Sequence, residues 1–97
     1  MFKSGTVYIL TNQYNSVFYI GVTSDLLPRI IQHQNKTFPN SFSAKYQCNK
    51  LVYYQSFESI EEAIKHEKKL KNWRRKWKIE LIEKNNPNWK DLIIDFN

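Results

Sequence analysis

Five side chains in this 97-residue chain could do chemistry together: the phenols of Tyr8 and Tyr19, the guanidinium of Arg29, the imidazole of His33 and the carboxylate of Glu67. A phenol and an imidazole can move a proton at a reacting oxygen, a guanidinium neutralises an anion, and a carboxylate can hold a cation. Taken singly, each has an ordinary explanation. Tyrosines on paired strands are commonly sheet packing, Arg29 stands one helical turn from Asp25 and suits a surface ion pair, and a lone histidine says little. Only convergence is informative, and it depends on the elements that carry the five groups.

Residues 6–11 are rich in β-branched and aromatic types, 12–16 carry turn chemistry, and 17–20 return to strand character. A hairpin with its loop over 12–15 sets Thr11 opposite Ser16 and Tyr8 opposite Tyr19, on one sheet face. A slip of one residue would part the phenols. Gly21 reads as the end of the strand, and Thr23, Ser24 and Asp25 as N-caps of a helix reaching about Asn35. Along that helix Leu27, Ile30, Ile31 and Gln34 form one stripe, while Asp25, Arg29 and His33 recur every four residues, so Arg29 and His33 point the same way. Pro28 implies either an irregular first turn or a regular helix that begins at the proline. A loop with room for a short helical turn follows over 35–49, where Lys45 and Tyr46 could face a substrate, and 51–57 form a third strand.

Ser59 and Glu62 make a capping box for a helix from Ile60 to Lys71. Its inward stripe is Ile60, Ala63, Ile64 and Leu70, and Glu67 falls where an apolar residue is expected. An unpaired buried carboxylate is costly, so Glu67 requires a partner, either a cation such as Arg29 or a bound metal. A last helix is expected over 74–84, burying Trp73, Trp77, Leu81 and Ile82, with the apolar tail 89–94 docking back on the domain. The predicted architecture is α/β in the α+β sense. It is a three-stranded antiparallel sheet flanked by helices in the order β-β-α-β-α-α, forming one domain over 1–97.

The net charge of +6 is concentrated. More than half of the fifteen Lys and Arg residues lie between Lys65 and Lys78, where Glu67 is the only acid, which favours a polyanionic partner over a generally basic surface, with a solvated helix face as the equally ordinary alternative. The single cysteine, Cys48, excludes an internal disulfide and a cysteine-built zinc site. No apolar run is long enough to span a membrane, so the expected location is the cytoplasm.

The hairpin and following helix resemble the GIY-YIG nuclease superfamily. Thr6-Val7-Tyr8 stands where the first triplet lies, Tyr19-Ile20-Gly21 matches the second, and Arg29 follows Gly21 at the family spacing. Phe42-Ser43-Ala44-Lys45-Tyr46, Leu51-Val52-Tyr53-Tyr54, Glu67-Lys68-Lys69-Leu70-Lys71 and the run from Asn86 to Leu92 extend the likeness to the small stand-alone bacterial branch. The resemblance implies a metal-dependent endonuclease acting on DNA or structured nucleic acid, DNA in preference to RNA, in a setting such as repair or recombination. It makes Tyr8 or Tyr19 the residue that helps deprotonate the attacking water, and Arg29 and His33 the groups that stabilise or protonate. Glu67 becomes the ligand of one Mg²⁺ or Mn²⁺, an ion that keeps much of its water shell and suits a lone carboxylate. An ordinary tyrosine is a poor base near neutrality, so that role requires Arg29 or the metal to lower its pKa. Lys45, Lys68, Lys69, Arg74 and Arg75 are the expected phosphate contacts, with sequence specificity low or supplied by a protein partner. Three departures stand out: Thr6 replaces the first glycine, Pro28 interrupts the helix of Arg29, and a functional asparagine could be Asn86 or Asn88. Two other readings remain, a nucleic-acid-binding module that keeps the fold without turnover and a structural or protein-interaction role.

Overall fold

The computed structural model describes residues 3–35 and 41–96, so the loop expected across 36–40 lies outside the described residues. β1 (Gly5–Thr11) pairs antiparallel with β2 (Phe18–Thr23) on one side and with β3 (Lys50–Phe57) on the other, giving the order β2-β1-β3. β1 takes the centre because it is apolar on both faces, with Val7, Tyr8, Ile9 and Leu10 all fully buried. The helices are α1 (Leu26–Gln34), α2 (Phe42–Lys45), α3 (Ile60–Lys71) and α4 (Arg75–Asn85), followed by a 3-10 helix over Leu92–Phe96. This is the predicted α+β sheet with flanking helices, to which the structure adds α2 and the C-terminal turn.

Alternation along β1 divides the core in two. Val7 and Ile9 join Ile20, Ala63, Leu70 and Ile82, so α3 and α4 cover one face of the sheet. Tyr8 and Leu10 join Leu26, Ile30 and Leu51, with Leu92 and Ile93 alongside, so α1 and the C-terminal turn cover the other. The register of β1 against β3 shifts between Ile9 and Leu10, leaving Val52 without a partner on β1. That bulge allows the consecutive residues Val52 and Tyr53 to reach the same cluster.

The hairpin corrects the expected register. Tyr8 pairs with Gly21 and Leu10 with Tyr19, two residues away from the predicted alignment. The turn over 12–15 does form, with the Asn15 N–H donating to the Asn12 carbonyl at 3.1 Å. However, Ser16 is captured by the Asn12 side chain, to which its N–H donates at 2.8 Å, and the Thr11 hydroxyl donates to the Val17 carbonyl at 2.8 Å. These side-chain bonds replace two rungs of ladder, so pairing resumes only at Phe18. An even slip preserves the face, and Tyr8 and Tyr19 remain neighbours.

Three helix expectations are also revised. α1 starts at Leu26, which puts Pro28 in the first turn, where the missing N–H would have had no intrahelical partner. The proline therefore neither breaks the turn nor starts the helix. The buried side of α1 is Leu26 and Ile30, while Leu27 and Ile31 are exposed. In α4 only Ile82 is fully buried; the first turn overhangs the core, and Trp77 is 46% exposed with its ring edge-on to Trp73. α3, by contrast, has the expected bounds, and the Ser59 side chain accepts the Glu62 N–H at its start.

Asn86 is held in a buried hydrogen-bond network. Its amide donates to the carbonyls of Val52 at 3.2 Å and Lys90 at 2.9 Å, and its oxygen accepts the Lys90 N–H at 3.0 Å. It is 4% exposed. Asn86→Ala is expected to lower unfolding stability by about 2–3 kcal/mol, because it strands buried polar groups that now pair; urea denaturation measures this.

Candidate active site

Tyr8, Tyr19 and His33 form one cluster on the α1 face. Ring centroids are 6.2 Å apart for Tyr8 and Tyr19, 5.8 Å for Tyr8 and His33, and 5.1 Å for Tyr19 and His33. The Tyr8 hydroxyl is hydrogen-bonded to His33 Nε2 at 3.1 Å. Gly21, opposite Tyr8 on β2, makes this possible. A Cβ there would stand 2.4 Å from the Tyr8 ring and hydroxyl, so glycine is required by the facing phenol. Gly21 lies inside β2 rather than ending it, which corrects the sequence reading.

The electrostatics of the cluster are set by burial. Burial, reinforced by Tyr19, pushes the Tyr8 phenol well above the usual tyrosine range, and the Arg29 guanidinium offsets this only in part. The expectation that Arg29 lowers the phenol overall is therefore corrected. His33 is held below the ordinary imidazole value, first by burial and then by the Arg29 charge. Near neutrality the two groups are thus a neutral phenol and a neutral imidazole. The phenol donates to Nε2 when the ring proton resides on Nδ1.

Glu67 behaves differently from the other four. Its side chain is 14% exposed, and its partner is Lys71, one turn on in α3, at 3.6 Å. The predicted alternative of a pair with Arg29 is not found. α3 packs through Ala63 and Leu70 on the face opposite Tyr8. Among the described residues no group of three or more His, Cys, Asp or Glu is positioned to share an ion. A single, mostly buried carboxylate nevertheless fits a hard cation that keeps its water ligands, and Lys71 is exposed enough to be displaced.

The expected phosphate contacts fall into two groups. Lys45 ends α2 with its ammonium 5.6 Å from the Tyr46 ring centre. Lys68, Lys69, Arg74 and Arg75 lie around the junction of α3 and α4. There Lys69 lies over Trp73, Arg74 over Trp77, and Arg75 over Phe18 at 4.5 Å. Arg75 also donates to the Asn15 carbonyl at 3.3 Å, tying the start of α4 to the hairpin tip. Asn88 is exposed.

Phe42 belongs to the run Phe42-Ser43-Ala44-Lys45-Tyr46 and carries no role by residue type alone. Its ring stacks on Tyr19 at 6.3 Å and meets Tyr46 at 4.7 Å, extending the cluster outward. The signal was the spacing of Phe42 and Tyr46, four residues apart and so on one side of a helical turn.

This chain is similar to known proteins in sequence and in fold. The family model for the GIY-YIG catalytic domain matches residues 4–80. The UPF0213 protein SSP2268 of Staphylococcus saprophyticus is 34% identical over 80 residues, covering 78% of this chain and 90% of its own. The solution NMR structure of the UPF0213 protein BH0048 from Bacillus halodurans superposes with a TM-score of 0.57 at 27% identity, covering 91% of this chain and 92% of that one.

Proposed function

Because this chain belongs to the GIY-YIG catalytic domain family, we propose that it is an endonuclease that hydrolyses phosphodiester bonds in DNA with one divalent metal. The observation that carries this reading is the hydrogen bond between two neutral groups, Tyr8 and His33, beside the Arg29 guanidinium. A phenol raised in pKa cannot wait as phenolate. Its hydroxyl has no solvent-exposed surface, so the relay requires the bound strand to bring the attacking water to it; it can then accept a proton from that water while passing its own to His33 Nε2, staying neutral throughout. Arg29 neutralises the phosphate on which charge accumulates. Tyr19 packs on both rings and fixes their orientation. Glu67 lies on α3, which packs on the sheet face opposite Tyr8, so its role rests on the family: it would hold Mg²⁺ or Mn²⁺, which when bound supplies Lewis-acid stabilisation of a phosphate and its leaving oxygen. The basic junction of α3 and α4 would track phosphates.

Supercoiled DNA, branched DNA and RNA incubated with the protein should be cut with Mg²⁺ or Mn²⁺ and left intact in chelator. Binding without cleavage of any substrate would sink the nuclease reading in favour of a non-catalytic nucleic-acid-binding module, a reading favoured by the Glu67 to Lys71 pair.

The same relay fixes the pH dependence. Only unprotonated His33 can receive the Tyr8 proton, and its pKa lies below the usual imidazole value of 6.5. The cleavage rate should therefore be flat through neutrality and fall as pH drops below about 6.5. A kcat/KM profile rising only above pH 8 would contradict the relay.

A further inference from the structure

The aromatic series that begins at Tyr8 does not end in the core. It runs from Tyr19 to Phe42 to Tyr46, and its last two rings are 48% and 42% exposed. Tyr46 then lines a groove of about 510 Å³ to which the hairpin tip contributes Tyr14. Tyr14 is 76% exposed. Two exposed tyrosine rings in the lining of one groove suit a flat partner. The groove is otherwise polar. Gln13, Gln47 and Asn49 line it, and among the described residues their side-chain amides make no hydrogen bond within the chain. Lys45 adds a positive charge beside Tyr46.

Gln47 sharpens the picture. It has a φ of 56°, in the left-handed region where glycine is the unstrained choice. The chain keeps a long amide there, at the mouth of the groove.

We propose that this groove holds an unpaired base of a nucleic-acid strand, with Phe42 bridging from the groove to the cluster of Tyr8, Tyr19 and His33. The substrate class is therefore nucleic acid with a single-stranded or extruded nucleotide. Inside a duplex both faces of a base are covered by neighbours and its pairing edge is occupied. Only an unpaired base offers a free face to Tyr46 and a free edge to Gln13, Gln47 and Asn49. The size of the groove lies within the range of small-ligand sites, and the charge of +6 suits the strand that would carry the base. This assignment rests on the reading of the protein as one that engages nucleic acid at the Tyr8 cluster.

The test measures binding in chelator, so that cleavage cannot interfere. Three fluorescently labelled DNAs are compared by anisotropy: a single strand, a duplex, and a duplex with one unpaired 2-aminopurine. Wild type should prefer the first and third and quench the 2-aminopurine. Tyr46→Ala should weaken both by about tenfold, the scale of one lost stacking contact, with duplex affinity unchanged. Gln47→Gly should also weaken them while the fold is kept or stabilised, because glycine relieves the backbone at that position. Unquenched 2-aminopurine on binding, or equal losses for single strand and duplex, overturns the assignment. Metal-dependent cleavage with strand preference unaltered in these variants overturns it too and leaves the nuclease reading standing. Quenching that the variants lose, in a protein that cuts nothing, supports the groove and overturns turnover instead.

Discussion

Tyr8→Phe is expected to lower the cleavage rate by about 10²–10⁴-fold, the range for loss of a positioned acid–base group, while leaving the fold nearly intact. The ring would still fill the space that Gly21 leaves open and still meet Tyr19. What disappears is the hydroxyl hydrogen-bonded to His33 at 3.1 Å, a loss of about 1 kcal/mol in stability. Single-turnover kinetics beside a urea titration separate the two effects. The loss should lie in kcat, since a buried phenol adds little to ground-state binding. A variant that cuts at the wild-type rate would remove Tyr8 from the reaction and leave it as sheet packing, the ordinary role of a tyrosine pair.

Glu67→Ala is the second large effect. Loss of the metal ligand is expected to reduce cleavage by about 10³-fold or more, since a bound cation supplies several kcal/mol of transition-state stabilisation. Stability should scarcely change. The carboxylate is 14% exposed and among the described residues is paired only with Lys71, itself 54% exposed, so the pair contributes little and its removal frees Lys71 into water. The two readouts move apart only if Glu67 serves chemistry. Cleavage equal to wild type together with lowered stability would make the pair structural and leave the metal without its protein ligand. Titration of Mn²⁺ by electron paramagnetic resonance gives a readout independent of turnover, with the bound signal expected in wild type and lost in the variant.

The elements that could be read from the sequence were those with local chemical punctuation. α3 is bounded by a serine cap and a charged last turn, both of which act within a few residues, and its limits follow from them. The hairpin register was harder, because the side chains of Asn12 and Thr11 close the turn and displace ladder bonds, which residue type alone does not disclose. Gly21 was misread for a related reason. Its need for a missing side chain comes from Tyr8 across the strand, thirteen positions back in the chain. The grouping of Tyr8 and Tyr19 survived because only the parity of the register matters for a shared face. Trp77 shows the limit of periodicity. Its spacing places it on the apolar side of α4, yet it stays 46% exposed with its ring edge-on to Trp73. Burial outweighing Arg29 at the Tyr8 phenol could not be foreseen, since desolvation depends on the assembled core.

The bulge in β3 reaches beyond geometry. Where it breaks the ladder with β1, the Val52 carbonyl accepts from Asn86 and the Leu51 N–H donates to Asp91 at 3.2 Å. Two side chains thus occupy backbone groups on a border strand that would otherwise be open to the backbone of another molecule. An exposed strand border invites chains to stack into aggregates. The C-terminal segment therefore shields this stretch of the sheet border from pairing with another chain.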